Sequence, residues 1–150
     1  MQGPKIIQGG NFVDDRGRIK FANDFDMTDV KRFYTVSNHT RGFIRAWHYH
    51  KKEAKYVVCT RGSMKVAIVK PFEIDYVPPS GCREEIHIHY LSEGDGKVFY
   101  VPAGYANGFQ SLTDDAELTF YSTSTVEESK GDDIRYDWDY WNIWNLQDYR

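Results

Sequence analysis

Residues 42–56 read Gly-Phe-Ile-Arg-Ala-Trp-His-Tyr-His-Lys-Lys-Glu-Ala-Lys-Tyr, a run too apolar for a loop and too rich in ionisable groups for plain core. If the run is a strand, its side chains alternate between two faces, so His48 and His50 share one face and Trp47 points to the other. Two imidazoles separated by a single residue then converge on one place. The run therefore predicts a strand that carries a candidate functional site.

Further strand-like runs flank this one. They recur at short intervals with turn signals such as Gly94-Asp95-Gly96 between them, and no long amphipathic helix interrupts them before the final third of the chain. In the run from Glu84 to Leu91, His87 and His89 share a face opposite the apolar side chains and are expected to be solvated or to make cross-strand contacts. The pattern predicts an all-β sandwich or barrel.

The two ends of the chain carry their own signals. Lys5-Ile6-Ile7 predicts an opening strand, and residues 11–21 predict a hairpin with Asp14-Asp15-Arg16-Gly17 at its bend. The last segment, from Ile134 to Arg150, is dense in Trp and Tyr. So many aromatic side chains argue against disorder, and the segment is expected to fold back as a short helix or an irregular lid.

Composition limits the class of protein. A chain of 150 residues is expected to form one domain, residues 1–150, and the net charge of −3 gives no reason to expect a nucleic-acid partner. Cys59 and Cys82 lack CxxC spacing, which predicts free thiols in a reducing compartment. The start of the chain does not look like a signal peptide, and no run approaches about 18 apolar residues. The sequence thus predicts a cytoplasmic protein with no membrane partner.

Two glycine-led patterns resemble the paired motifs of the cupin superfamily, whose fold is a jelly-roll barrel. They run Gly42-x5-His48-x-His50-x2-Glu53 and Gly96-x5-Pro102-x-Gly104-x2-Asn107. Metal-binding cupins carry a histidine where this chain has Asn107, so the resemblance implies an all-β cupin sandwich without a functional metal. A metal held by His48, His50 and Glu53 stays an alternative. So does a pair of buried, hydrogen-bonded histidines, but an imidazole acting as acid or base is favoured.

A narrower resemblance covers most of the chain. Five motifs follow in the order found in dTDP-4-dehydrorhamnose 3,5-epimerases: Asp15-Arg16-Gly17, residues 37–49, Lys55, residues 101–112 and Ile134-Arg135-Tyr136-Asp137. The resemblance implies a cofactor-free isomerase that epimerises a nucleoside-diphosphate-linked 4-keto-6-deoxy sugar at C3, with C5 as a second position. In such chemistry the C4 ketone makes the neighbouring hydrogens acidic and accepts the electrons.

The resemblance also assigns the catalytic residues. His48 matches the base, and Asp137 matches the carboxylate that orients it, with Asp139 as the alternative if the alignment slips by two positions. A positioned base of this kind contributes about 10²–10⁴-fold to the rate. Lys55 matches the cation beside the developing oxyanion, where preorganised charge is most effective.

Substrate-binding residues follow from the same resemblance. Arg45, together with Arg16 of the partner subunit, is expected to hold the diphosphate, because a guanidinium fork suits phosphate oxygens. Asn38, Asn107 and Tyr121 complete the expected binding set. The use of a partner's arginine implies a homodimer, in which the first strand of one subunit could complete the other's sheet or pocket.

One departure from the family pattern concerns the second proton carrier. The family places a tyrosine after a Thr-Asp pair and uses it as the acid on the far face of the sugar, but residues 123–126 read Thr-Ser-Thr-Val here. Tyr121, Tyr105 or water could donate instead, or the reaction could be a single epimerisation.

The rival resemblance is to the nucleotide-sugar 3,4-ketoisomerases, which carry Arg-x-x-His-x-His-Lys-Lys. Residues 45–52 match that run, and Val58-Cys59 and Gly62-Ser63 match its continuation. His50 would then be a catalyst beside His48. The second half of the chain, residues 101–112, favours the epimerases. A third hypothesis is a non-catalytic or metal-dependent cupin that binds a small ligand.

Overall fold

The computed structural model describes residues 2–73 and 75–146. Within them the chain forms strands and one short helix, in this order: β1 Lys5–Gln8, β2 Gly10–Asp14, β3 Gly17–Phe21, β4 Arg32–Asn38, β5 Ile44–Tyr49, β6 Lys55–Arg61, β7 Ser63–Lys70, β8 Glu85–Ser92, β9 Lys97–Val101, β10 Ala106–Ser111, β11 Ala116–Ser122, α1 Val126–Lys130 and β12 Ile134–Arg135. No helix in this part of the chain has the length and apolar character needed to cross a membrane.

Two five-stranded antiparallel sheets enclose the main core. Their strand orders are β1-β9-β6-β11-β4 and β12-β5-β10-β7-β8. Apolar side chains from both sheets meet between them, such as Phe99 and Leu118 from the first sheet and Met64 and Ile68 from the second. The prediction of an all-β cupin sandwich is confirmed.

The two predicted motifs lie side by side because β5 and β10 are neighbours. Asn107 is the cross-strand partner of His48, and a bulge follows between Asn107 and Phe109. Gly108 lies at this bulge, where an added Cβ would come within 2.6 Å of the Ala46 Cβ. Only a residue without a side chain allows the two strands to approach this closely.

The C-terminal aromatic residues cover the outer face of the second sheet. Trp47 is fully buried there against Trp141 and Trp144, and the indole nitrogens of Trp47 and Trp144 both donate to the Trp138 carbonyl. The segment is irregular and lies outside the sandwich. After the two-residue strand β12 the segment packs back in irregular form, which confirms one of the two predicted forms, and residues 147–150 of the predicted segment lie outside the described residues.

The predicted N-terminal strand and hairpin both form. In the single chain β1 pairs with β9, whereas β2 and β3 form a separate two-stranded sheet. This hairpin exposes apolar side chains, with Phe12 at 56%, Val13 at 68% and Ile19 at 62%. The hairpin thus stands apart from the two five-stranded sheets and exposes apolar side chains.

Candidate active site

A cavity of about 250 Å³ lies between the two sheets. Residues of β5, β10 and the β12 segment form one wall, and residues of β4, β6 and β11 form the opposite wall. The lining consists of Tyr34, Val36, Arg45, His48, His50, Lys55, Asn107, Phe109, Phe120, Ser129, Asp133 and Arg135. The structure thus brings together the predicted residues His48, His50, Lys55, Arg45 and Asn107.

His48 is half-buried on the first wall of the cavity. Burial, followed by the nearby cations of Arg135 and Lys55, lowers the pKa of His48 to about 4. Removal from water disfavours the charged imidazolium, and positive neighbours add to the same effect. The ring is therefore neutral at neutral pH, which is the form that can accept a proton.

His50 follows β5 directly and is buried. Its Nδ1 atom lies 2.6 Å from the Asp132 carbonyl oxygen. A carbonyl can only accept, so Nδ1 carries the hydrogen, and Nε2 is the unprotonated nitrogen of the neutral ring. Burial is the main cause that lowers the pKa of His50. A second neutral imidazole thus lines the cavity beside His48.

Glu53 supports His50 from behind. Its carboxylate is fully buried and lies 3.5 Å from His50 Nδ1. It accepts hydrogen bonds from the hydroxyls of Ser122 and Ser129, the latter at 2.7 Å. Among the described residues no group of three or more His, Cys, Asp or Glu side chains is arranged to hold a metal ion. The carboxylate is engaged by these hydroxyls and fixes the position of its neighbours.

Lys55 supplies positive charge on the wall opposite His48. Its residue is only 6% exposed, and its Nζ lies 5.6 Å from the centre of the Phe120 ring. Burial lowers the pKa of Lys55, while the carboxylates of Glu53 and Asp133 act in the other direction. An ammonium in this dry setting interacts strongly with any negative charge that develops in the cavity.

Arg45 is held at the cavity by Asn38. Its Nε donates to Asn38 Oδ1 at 2.7 Å, and Asn38 in turn donates to Ser111 Oγ at 2.6 Å. Asn38 is buried and is not part of the cavity lining. The residue expected to contact substrate thus lies behind Arg45, where its side chain fixes the orientation of the guanidinium.

The expected carboxylate is placed differently. Asp137 and Asp139 are exposed and outside the cavity lining, while Asp133 lines the cavity and pairs with Arg135 at 3.0 Å. The reason is the register of β12, which puts Arg135 opposite His48. Beyond Tyr136 the chain turns onto the outer face of the sheet, and Asp137 goes with it. Sequence reasoning missed Asp133.

Three other candidates lie away from the cavity of their own chain. Tyr121 faces outward from β11 and contacts Phe25, because its neighbour Phe120 faces the cavity. Tyr105 donates its hydroxyl to Glu85. Arg16 is 82% exposed at the hairpin bend and pairs with Asp14. The structure therefore does not bring either tyrosine to the site as a proton donor.

The fold and the cavity together define a class: two antiparallel sheets around a histidine-lined cavity form a cupin-type sandwich. The chain belongs to the dTDP-4-dehydrorhamnose 3,5-epimerase family, whose sequence model matches residues 1–146. The two cysteines, Cys59 buried and Cys82 exposed, are free thiols as predicted.

Three relatives illustrate the similarity. A dTDP-4-dehydro-6-deoxyglucose 3-epimerase from a Streptomyces species is 34% identical over 116 residues, which is 75% of this chain and 55% of the relative. The chain thus spans little more than half the length of that enzyme. The spore coat polysaccharide biosynthesis protein SpsL of Bacillus subtilis is 24% identical and is matched over 98% of both chains. A Streptomyces bikiniensis epimerase of the same name is 33% identical over 116 residues.

Solved structures share the fold. ChmJ, a 3'-monoepimerase from Streptomyces bikiniensis solved with dTDP-quinovose, is 26% identical with a TM-score of 0.69, covering 91% of this chain and 70% of ChmJ. The 3,4-ketoisomerase QdtA from Thermoanaerobacterium thermosaccharolyticum, solved with TDP, is 21% identical with a TM-score of 0.64, covering 89% and 88%. The fold alone therefore fits both kinds of enzyme.

Proposed function

We propose that this protein epimerises a nucleoside-diphosphate-linked 4-keto-6-deoxy sugar at C3, with C5 as a second candidate position. The observation that carries the proposal is the pair formed by His48 and Lys55. A neutral imidazole lies on one wall of the cavity and a buried cation on the other. Membership of the epimerase family, and a 34% identical 3-epimerase, support the same conclusion.

The first step is removal of the C3 hydrogen. His48 takes this hydrogen as a proton, the C–H bonding pair forms the C3–C4 double bond, and the carbonyl pair moves onto the C4 oxygen. Lys55 lies where its ammonium stabilises the resulting enolate oxygen. Because the ketone itself accepts the electrons, this chain's own side chains suffice for the step.

The diphosphate would lie at the cation-rich side of the cavity. Arg45, oriented by Asn38, and Arg135 both line the cavity with exposed side chains. A guanidinium can donate two parallel hydrogen bonds to phosphate oxygens, which fixes orientation as well as adding affinity. We assign Arg45 to the diphosphate and Asn107, buried opposite His48, to a polar group of the sugar.

The proposal is tested by incubation of the protein with dTDP- and GDP-linked 4-keto-6-deoxyhexoses in D2O, followed by NMR. Deuterium entering C3 with inverted configuration is the expected result, and His48→Asn should abolish it while the protein still binds dTDP by calorimetry. Prior treatment with EDTA should change neither the rate of deuterium exchange nor the rate of inversion at C3. An absence of exchange with every sugar, or a loss of exchange after chelation, would point instead to the ligand-binding or metal-dependent hypothesis.

A second candidate, 3,4-ketoisomerisation, is favoured by one observation. His48 and His50 line the same cavity, and the Nδ1 hydrogen bond of His50 leaves Nε2 as its proton acceptor. Two such groups on one wall could move a proton between C3 and C4 without changing faces. The same NMR experiment separates the two reactions, because isomerisation moves the carbonyl signal to C3 and places deuterium at C4.

We also propose a homodimer in which the β2–β3 hairpin delivers Arg16 to the partner's site. The hairpin stands outside the sandwich, exposes apolar side chains and carries Arg16 at its bend, away from its own cavity. Mixed dimers of Arg16→Ala and His48→Asn chains test this. One restored site, with activity above that of either parent alone, is expected. No restoration, or a monomer in sedimentation, would overturn it.

A further inference from the structure

Inversion at C3 requires that the new proton arrive on the face opposite to the one from which the old proton left. His48 and His50 both belong to the wall formed by β5, so neither reaches the second face of a sugar ring held between the sheets. The second proton carrier must therefore come from the wall formed by β4, β6 and β11. This requirement rests on the proposed function.

We propose that Tyr34 is the proton donor on that second face. Tyr34 lies on β4 and lines the cavity from the sheet opposite to the one that carries His48. Of the tyrosines in the described residues, it is the one that contributes to this lining. Its phenol is thus placed across the cavity from the base.

The Tyr34 ring is fixed in this position. It stacks on Phe120 with 5.1 Å between the ring centres and 11° between the planes, and the Arg32 guanidinium lies 4.7 Å from the ring centre. Contacts on the ring limit its rotation without engaging the oxygen. A donor held this way meets the geometric requirement for proton transfer, because reach depends on a fixed oxygen position.

The Tyr34 hydroxyl is available to a ligand. Within the described chain it makes no hydrogen bond, whereas the Tyr56 hydroxyl donates to Asp29 and that of Tyr105 to Glu85. No buried side-chain oxygen or nitrogen among these residues lacks a partner, so the Tyr34 oxygen is an accessible atom on a side chain that lines the cavity. A phenol needs such freedom to contact a substrate carbon.

The charge state of Tyr34 suits a donor. Burial, followed by the negative charge of Glu53, raises the pKa of Tyr34, so the phenol keeps its proton at neutral pH. The nearby Arg32 acts in the opposite direction and would stabilise the phenolate for the short time that it exists.

Lys55 is the other proton-bearing side chain on the same wall, but its charge is already required. Its ammonium balances the carboxylates of Glu53 and Asp133 and, in the proposed reaction, the enolate oxygen. Loss of its proton would remove the cation that stabilises the enolate oxygen at the moment when the new C–H bond forms. The neutral Tyr34 phenol can give up its proton without removing a cation from the cavity.

The step balances without a co-reactant. The enolate electron pair forms a new C3–H bond with the Tyr34 hydrogen, the O–H bond breaks, and the C4 carbonyl re-forms. The phenolate is then reprotonated by solvent, and the proton taken by His48 returns to solvent.

The test compares three variants on dTDP-4-dehydro-6-deoxyglucose in D2O. Tyr34→Phe should lower the rate of inversion by about 10²–10⁴-fold while deuterium still enters C3 with the original configuration, since His48 continues to remove and return the proton. Lys55→Met should lose both exchange and inversion. Tyr121→Phe, which alters a phenol outside the cavity, should retain both.

Calorimetric binding of dTDP confirms that each variant is folded. Inversion by Tyr34→Phe at the wild-type rate overturns the proposal. So does a folded Tyr34→Phe that has lost exchange as well as inversion, because the phenol would then be needed for proton removal. If the wild-type protein exchanges no proton, the proposed function falls and the role of Tyr34 with it, an outcome distinct from the other two.

Discussion

Arg135 is the cross-strand partner of His48 in the two-residue ladder that joins β12 to β5. After burial, its positive charge is the largest influence lowering the pKa of His48 to about 4. Arg135 also pairs with Asp133 at 3.0 Å, and the negative charge of Asp133 favours the protonated ring. Besides burial, two residues that lie two positions apart therefore act on the pKa of the base in opposite directions.

The first prediction concerns the pH dependence of kcat/KM. Because the pKa of His48 is lowered from 6.5 to about 4, activity should persist well below pH 6.5 and fall only as the ring becomes protonated near the lower value. Arg135→Met should move this acidic limb to higher pH, and Asp133→Asn should move it lower. The pH at which kcat/KM falls gives the pKa of the base in the free enzyme, so it can be measured even if Arg135→Met also weakens substrate binding.

An exposed arginine on β6 provides the control for that profile. Arg61 bonds to Asp115 and Glu117, away from the cavity, so Arg61→Met should leave the limb where it is. A wild-type limb near 6.5, or one that Arg135→Met does not move, would contradict the prediction.

A second prediction separates two carboxylates. Asp133 lines the cavity and interacts with both histidines and Lys55, whereas Asp137 is not among the residues that line the cavity. Asp133→Asn should lower kcat about tenfold, because the imidazolium formed in the reaction loses a favourable electrostatic interaction of about 1.4 kcal/mol. Asp137→Asn, the matched control, should retain wild-type kcat in steady-state assays. The reverse result would restore Asp137 to the role that the sequence assigned it.

A third prediction concerns substrate affinity. Asn38→Ala removes the acceptor of Arg45 Nε and leaves Ser111 without its buried donor. The affinity for dTDP, measured by calorimetry, should fall about five- to tenfold, in line with about 1–1.5 kcal/mol for a lost buried hydrogen bond. Ser37→Ala, on the exposed side of the same strand, should bind normally. Unchanged binding by Asn38→Ala would mean that Arg45 needs no support.

A fourth prediction tests the close approach of β5 and β10. Gly108→Ala places a Cβ within 2.6 Å of Ala46 and 3.0 Å of the Trp144 ring, so it should reduce the free energy of unfolding by about 1–3 kcal/mol. Gly131→Ala is the control, since its φ is −82° and its nearest contact would be 3.8 Å away. Urea denaturation compares the two. Equal midpoints would show that the strands can separate at little cost.

The strands and the meeting of the two motifs could be predicted because glycine and proline mark the turns and alternation marks the faces. Alternation does not say which face is the interior, however. On β8 the half-buried His89 ring lies 4.5 Å from Phe99 of the opposite sheet, while Ile86 and Tyr90 are exposed, so the histidines and not the apolar side chains lie on the inner face of this strand. The same limit applied to Tyr121, which the sequence could not place inside or outside.

Which aspartate lines the cavity could not be predicted from the sequence for a different reason. Asp132, Asp133, Asp137 and Asp139 are close together, and the register of a strand of two residues depends on the sheet it joins. The short helix α1, by contrast, carries a recognisable signal in the sequence. Thr125 and Glu128 form a capping box with reciprocal hydrogen bonds, for which the Thr-x-x-Glu pattern is typical.

The C-terminal tryptophans do not line the cavity, but strand β5 connects them to the proposed catalytic base. Trp47 is clamped by Trp141 and Trp144, and the next residue along the same backbone is His48. A shift of Trp47, caused by looser packing against Trp141 and Trp144, would therefore also displace the adjacent backbone that positions the His48 imidazole. Substitutions at these tryptophans should therefore be poorly tolerated, although the tryptophans do not line the cavity. Tryptophan fluorescence would report how firmly the strand that carries the base is held.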